Sequence, residues 1–187
     1  MSDDVTESAA AAGAAGAERL LVLVHGVPGS GKTTLATALA AELRWPLVSK
    51  DAIKETLLDS LGFTDREASR RIGAAAGEIC WTVIGACPGA CVLDTWITDR
   101  AIVVAGLSRA GIDRMVEVWC HAEADVVRER YRSRVRHPGH FDDVNHEQHD
   151  AWIASARPLA IGDVIHVDTT HPLSDETIRR LAEPLTR

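Results

Sequence analysis

Aromatic side chains make up only 4% of this 187-residue sequence, and they are unevenly chosen: five Trp, two Phe and one Tyr. Cysteine is equally sparse. Cys80, Cys87, Cys91 and Cys120 form no C-x-x-C pair, and three of them sit in or beside apolar runs. That spacing excludes a disulfide framework and a zinc knuckle, and it predicts buried free thiols. No apolar run reaches the ~18 residues of a membrane span, and the first residues lack a basic-then-apolar signal pattern. The expectation is therefore a cytoplasmic, reduced protein with no membrane partner. Lysine and arginine are missing from residues 1–18, where Asp3, Asp4, Glu7 and Glu18 account for four of the seven net negative charges. A body carrying the remaining −3 argues against a non-specific nucleic-acid coat, which needs clustered cations, although a local basic channel stays open. With 46% hydrophobic and 25% charged residues, the composition is that of one ordinary globular domain.

Residues 1–18 are Ala/Gly-rich and acidic with nothing bulky to bury, so a disordered tail is expected there, followed by one domain over 19–187. Strands and helices then alternate. Leu20–His25 is an apolar run ending in Gly-rich sequence, the pattern of a strand buried on both faces. Helices are expected over 31–43, from Asp51 to about 61, and over 65–86, 99–110, 123–136 and 174–183. Further strands are expected at Leu47-Val48, Ala90–Asp94, Met115–Cys120 and Val164–Val167. Residues 137–150 read as a polar, His-rich loop. Gly73, Gly77 and Gly85 weaken the 65–86 helix. Alternation of this kind implies an α/β domain with a five-stranded parallel sheet, helices on both faces, and ligands beyond the strands' carboxyl ends.

Gly26-Val-Pro-Gly-Ser-Gly-Lys32-Thr33 satisfies G-x-x-x-x-G-K-[ST] and follows a strand while opening a helix, the context a P-loop requires. Gly26, Pro28, Gly29, Ser30, Gly31, Lys32, Thr33 and Thr34 are thus the expected nucleotide-binding residues. Backbone N–H groups and the helix dipole would surround a phosphate. Lys32 would bridge the β- and γ-phosphates of ATP or GTP, and Thr33 would offer its hydroxyl to Mg²⁺. Asp94, at the tip of a buried strand, is the second expected Mg²⁺ residue. The competing reading makes it a helix cap, a task for which Thr95 and Asp99 are rivals.

The segment Val48-Ser-Lys-Asp51-Ala-Ile-Lys54-Glu-Thr-Leu resembles the stretch after the second strand in AAA-type P-loop kinases of the polynucleotide 5′-hydroxyl kinase and chloramphenicol phosphotransferase group, with zeta-toxin-like relatives sharing the layout. The resemblance implies that Asp51 receives the acceptor hydroxyl's proton and that Lys54 contacts the acceptor. Chemistry asks for the same carboxylate independently, since an attacking hydroxyl needs one within hydrogen-bond reach. The alternative is a simple N-cap. Five arginines fall within Arg128–Arg136, and Arg130 and Arg134 are spaced i, i+4. That pair resembles the lid arginines of the same kinases, implying an Arg-rich lid over about 123–150. The alternative is a solvated face paired with Glu123 and Glu129.

Trp96, Asp99 and Arg100, just past Asp94, and His137 and His140 are candidate walls of an acceptor pocket, with Trp96 equally readable as packing. His137, His140, Asp142 and Asp143 resemble metal ligands by type but not by spacing. Thr169 and Thr170, leaving the fifth strand, are candidates for contact with the nucleotide base, or an ordinary turn exit. The reading that follows is a Mg²⁺-dependent kinase acting on a small hydroxylated acceptor. A polynucleotide 5′-hydroxyl kinase is the runner-up, with nucleic acid not favoured as a partner. A nucleotide-gated switch is the alternative of another class, and it would have no use for Asp51 as a base.

Overall fold

All six residues of Leu20–His25 are buried, and this strand (β1) lies at the centre of the sheet. The computed structural model describes residues 18–141 and 146–186. Nearly all of the expected tail, together with Asp142 and Asp143, lies outside the described residues. Beside β1 run β2 (Leu47–Ser49), β3 (Cys91–Thr95), β4 (Arg114–His121) and β5 (Asp163–Asp168), in the order β2-β3-β1-β4-β5 with every pairing parallel. The helices are α1 (Lys32–Leu43), α2 (Lys50–Leu61), α3 (Arg66–Ala86), α4 (Arg100–Ala110), α5 (Ala124–Ser133), α6 (His146–Ser155) and α7 (Asp175–Ala182). The α/β architecture matches the sequence expectation.

Alternation along β1 divides the core. Leu20, Val22 and Val24 pack with Leu35 and Leu39 of α1 and Ile178 of α7, while Leu21 and Leu23 pack with Trp81 and Ile84 of α3 and Val103 of α4. Trp81 presses so closely on Gly106 that a Cβ there would overlap the indole, which fixes the α3–α4 approach. Parallel register brings Asp94 of β3 level with Val24 of β1 and Ser49 of β2. The candidate carboxylate therefore stands beside the strand that leads into the P-loop.

Three differences from expectation bear on the site. Helix α5 stops at Ser133, and Arg134 is extended (φ −74°, ψ 138°), so Arg130 and Arg134 do not share a helical face. Helix α2 begins one residue before Asp51, with Ser49 as its N-cap residue and no side-chain cap bond, so Asp51 is not a cap. Helix α6 occupies part of the expected polar loop. Its buried residue is His149.

Candidate active site

The loop between β1 and α1 is shaped by contacts that only glycine permits. A Cβ on Gly26 would overlap the carbonyl oxygen of Cys120, and one on Gly29 (φ +94°) would come within 2.6 Å of the Val127 carbonyl oxygen. Helix α5 and the end of β4 thus press directly on the loop. Two further clamps hold it. The Thr169 hydroxyl shares its proton between the carbonyls of Ser30 (2.5 Å) and His121 (2.9 Å). His149 Nε2 lies 2.8 Å from the Pro28 carbonyl oxygen, while its ring stacks on Tyr131 at 3.9 Å. The Thr169 hydroxyl therefore anchors the P-loop, and the residue also lines the cavity behind Arg130. His149 was not anticipated, because an i, i+121 bond leaves no local trace.

Lys32 points inward with only 7% exposure. Burial lowers its pKa, with Asp94 and Asp51 acting against the shift and Arg134 and Arg136 adding to it. Asp94 is 2% exposed, and burial raises its pKa, with Lys32 and the Thr33 and Ser49 hydroxyls acting in the opposite sense. Its Oδ2 accepts from Ser49 Oγ at 3.2 Å, while Oδ1 is buried with no hydrogen-bond partner among the described residues. A buried, unpartnered carboxylate oxygen is costly unless something occupies it. A hard divalent cation is the natural partner, because Mg²⁺ takes oxygen ligands and keeps several waters. The donors present, Thr33 and Asp94, therefore fit Mg²⁺. Asp94 is not a helix cap: Asp99 caps α4, accepting from Ala101 N at 2.8 Å.

A cleft of about 550 Å³ runs from the P-loop to α2, lined by Gly29, Lys32, Thr33, Asp51, Arg130 and Arg134 among others. Asp51 Oδ2 lies 2.5 Å from Arg136 Nη2, and the Asp51 side chain is still 43% exposed. Burial pushes its carboxyl up, but Arg136, Lys32 and His140 together outweigh this and hold it below the usual range. Arg136 also approaches His140 Nε2 (3.2 Å), which meets Glu55 at 2.7 Å. The chain Asp51–Arg136–His140–Glu55 thus braces the carboxylate from behind. Sequence pattern did not set Arg136 apart from Arg128 and Arg132; in the structure it lies three residues beyond the end of α5.

Arg130 reaches back from α5, its Nη2 donating to the Thr170 carbonyl at 3.1 Å while Nη1 is buried without a partner among the described residues. It lines both the phosphate cleft and a neighbouring cavity of about 320 Å³ walled by Thr34, Ala38, Pro172, Leu173 and Ile178. Arg134 lies over the Tyr131 ring at 4.4 Å. Arg128 belongs to the surface, paired with Asp125 and Asp150 rather than with Glu123 or Glu129.

The remaining candidates separate clearly. Lys54 and Trp96 line a third cavity, between α2 and α3. Asp99 and Arg100 are exposed and line none of these three cavities. His137 and His140 form part of a 3₁₀ turn (Pro138–His140 with His137 as its cap) clamped to α2 and α3 by His137–Asp59 (3.0 Å), His140–Glu55 and Ser69–Gly139 (2.5 Å). They brace the site from outside it, because the turn packs on Leu58 rather than on open space.

Beneath the P-loop, His25 is fully buried, stacked on Trp96 (5.0 Å) and 4.0 Å from Glu117, whose carboxylate accepts the Leu159 and Ala160 N–H groups. Burial, with Lys32 adding to it, lowers the His25 pKa from 6.5 to about 4. Between these values the unfolded chain binds the extra proton, so stability is lost as pH falls from 6.5 toward 4. His25→Asn is expected to remove a share on the order of 3 kcal/mol from that loss. Denaturant unfolding at pH 7 and pH 4.5 checks this, and an unchanged pH slope in the variant would refute it.

Residues 21–159 match the family described as AAA domain. No curated protein matches the chain. Among solved structures, a putative kinase from Chloroflexus aurantiacus J-10-fl is 33% identical with TM-score 0.76, the match covering 89% of this chain and 97% of that one. The Mycobacterium tuberculosis APS kinase, solved with AMPPNP and APS, is 22% identical with TM-score 0.59 over 91% and 98% of the two chains. A shikimate kinase from Bacteroides thetaiotaomicron is 17% identical with TM-score 0.52 over 91% and 100%. These last two show the fold.

Proposed function

The chain belongs to the AAA domain family, and from that premise we propose that it is a Mg²⁺-dependent kinase transferring the γ-phosphoryl group of ATP to a hydroxyl of a small acceptor. The observation that carries this reading is the position of Asp51, an ionised carboxylate in the same cleft as Lys32 and Thr33. In the step, the acceptor oxygen bonds to the γ-phosphorus as the β–γ bridging bond breaks, ADP departs, and the hydroxyl proton passes to Asp51. Arg136 engages Oδ2, which leaves Oδ1 for that proton. A carboxylate held at low pKa is a weak base, which suits a loose transition state in which orienting the hydroxyl matters most.

Lys32 would neutralise the β/γ-phosphates, and Arg130 and Arg134 would take up charge on the transferred group as parts of an Arg-rich lid. Mg²⁺, held by Thr33 and Asp94, would neutralise charge across the phosphate oxygens. The apolar cavity behind Arg130 suits the nucleotide base. The finer kinship with polynucleotide 5′-hydroxyl and chloramphenicol-type kinases rests on the Asp51 and Lys54 segment.

Incubation with γ-labelled ATP, Mg²⁺ and a library of alcohols, sugars and 5′-hydroxyl oligonucleotides tests the reading. Label should pass to a small alcohol and poorly to the oligonucleotides. Efficient end-labelling would promote the polynucleotide kinase, and hydrolysis alone with every acceptor would favour the switch. Arg130→Ala should lower turnover roughly tenfold or more with a smaller change in nucleotide affinity, because the fork engages charge that rearranges in the transition state. Unchanged steady-state kinetics would reduce Arg130 to a brace for Thr170.

A further inference from the structure

Helix α3 has a glycine that its packing does not explain. Gly85 packs against Ala110, and Gly73 lies under the Lys54 side chain, but a Cβ on Gly77 would meet nothing within 4 Å. A mid-helix glycine costs helix stability relative to alanine, so the space itself is what remains. Gly77 opens onto a cavity of about 410 Å³ between α2, α3 and the segment after β3. Its composition is two-sided. Lys50 and Lys54, one helical turn apart on α2, converge with Arg70 of α3, while Trp81, Trp96 and Ile102 supply apolar walls. Neither Lys50 nor Arg70 forms an ion pair among the described residues, and Glu78 on the rim is paired with Arg109 at 2.7 Å. Lys50 precedes Asp51, and Thr95 follows Asp94, so the cavity adjoins both carboxylates of the site. Cys80 on its wall lies close enough for Lys50, Asp51 and Asp94 all to act on its thiol.

We propose that the acceptor is an anionic, ring-bearing alcohol held in this cavity, its carboxylate or phosphate met by Lys50, Lys54 and Arg70 and its ring lying along Trp81 and Trp96 toward Gly77. This deepens the kinase reading and rests on it for the reaction, but the cavity's preference for anions is separable from catalysis. Lys50 and Arg70, neither ion-paired among the described residues, stand with Lys54 beside apolar walls and favour a charged group over its neutral isostere, because leaving Lys50 and Arg70 unmatched disfavours the neutral ligand. Flat rings complement indole walls without ordering flexible chains.

The test uses the full chain and three matched probes: 4-(hydroxymethyl)benzoate, 4-(hydroxymethyl)phenyl phosphate and the uncharged 4-(hydroxymethyl)benzamide. Binding is read by intrinsic tryptophan fluorescence, to which Trp81 and Trp96 contribute, and by calorimetry, and transfer by label from γ-labelled ATP. At least one acid is expected to bind and react roughly tenfold or more better than the amide. The better acid tells a carboxylate site from a phosphate site. Lys54→Met/Arg70→Met should erase the preference. Gly77→Leu should block acid binding while the helix is retained, since leucine is a better helix former than glycine; circular dichroism reports that. Equal use of acid and amide, no binding of either acid at millimolar concentration, or full binding in Gly77→Leu would each overturn the proposal. Acid binding that Gly77→Leu abolishes, with no transfer to any acceptor, would leave the cavity assignment standing and overturn the kinase reading. Asp51-dependent transfer to neutral alcohols alone would do the reverse.

Discussion

Lys32→Met is expected to lower phosphoryl transfer by on the order of 10²-fold or more in a protein that still folds. Lys32 is nearly buried in the cleft, and burial already disfavours its charge. Without a triphosphate, its main electrostatic partners are Asp94 and Asp51, at the cost of desolvating the ammonium. Methionine keeps the stem's packing and removes that cost. It also leaves Asp94 without its cation, so the Asp94 pKa, already raised by burial, should climb further. The variant should therefore lose affinity for Mg²⁺-ATP, and its stability should stay within about 2 kcal/mol of the parent. Lys32→Ala would show the same catalytic loss with an added cavity term. Titration with a fluorescent ATP analogue and urea unfolding separate the two effects. Full activity in a folded Lys32 variant would remove the P-loop assignment.

Asp51→Asn should cut acceptor phosphorylation by roughly 10²-fold or more while nucleotide affinity changes little, because the amide can neither take the proton nor hold Arg136 by charge. The structure adds a second consequence. Arg136 would lose its 2.5 Å partner and turn toward Glu55 and His140, both within its network. Arg136→Met should then reproduce part of the loss by letting the Asp51 carboxyl relax upward toward ordinary values, visible as an acid limb of the pH–rate profile moved to higher pH. Rapid-quench measurement of labelled product decides the first claim. Transfer at the parent rate in Asp51→Asn would return Asp51 to a structural role and restore the nucleotide-gated switch.

The alternating pattern, the P-loop and the location of Asp94 were all legible in the sequence. A buried strand, a phosphate loop and a helix start are written in contiguous residues, and strand periodicity is local. The cap alternatives were also legible, but only as a contest. Asp51 and Asp94 both had helix capping as a rival reading, and backbone geometry removes that rival: α2 starts before Asp51, and Asp99 takes the α4 cap. Arg134 was misplaced because helical spacing was carried three residues past the end of α5, where nothing in the sequence forces the stop.

What the sequence determined by itself is the chemistry available: a loop that binds phosphate, a carboxylate at the tip of one strand and another just past a second, and a supply of arginines. Which arginine meets which carboxylate was decided only by tertiary structure, because Arg136 and Asp51 are 85 residues apart and a guanidinium chooses its partner by where the chain brings it. The same holds for His149 under the P-loop and for the cavity that Gly77 opens, since empty space is a property of packed elements and not of any one of them.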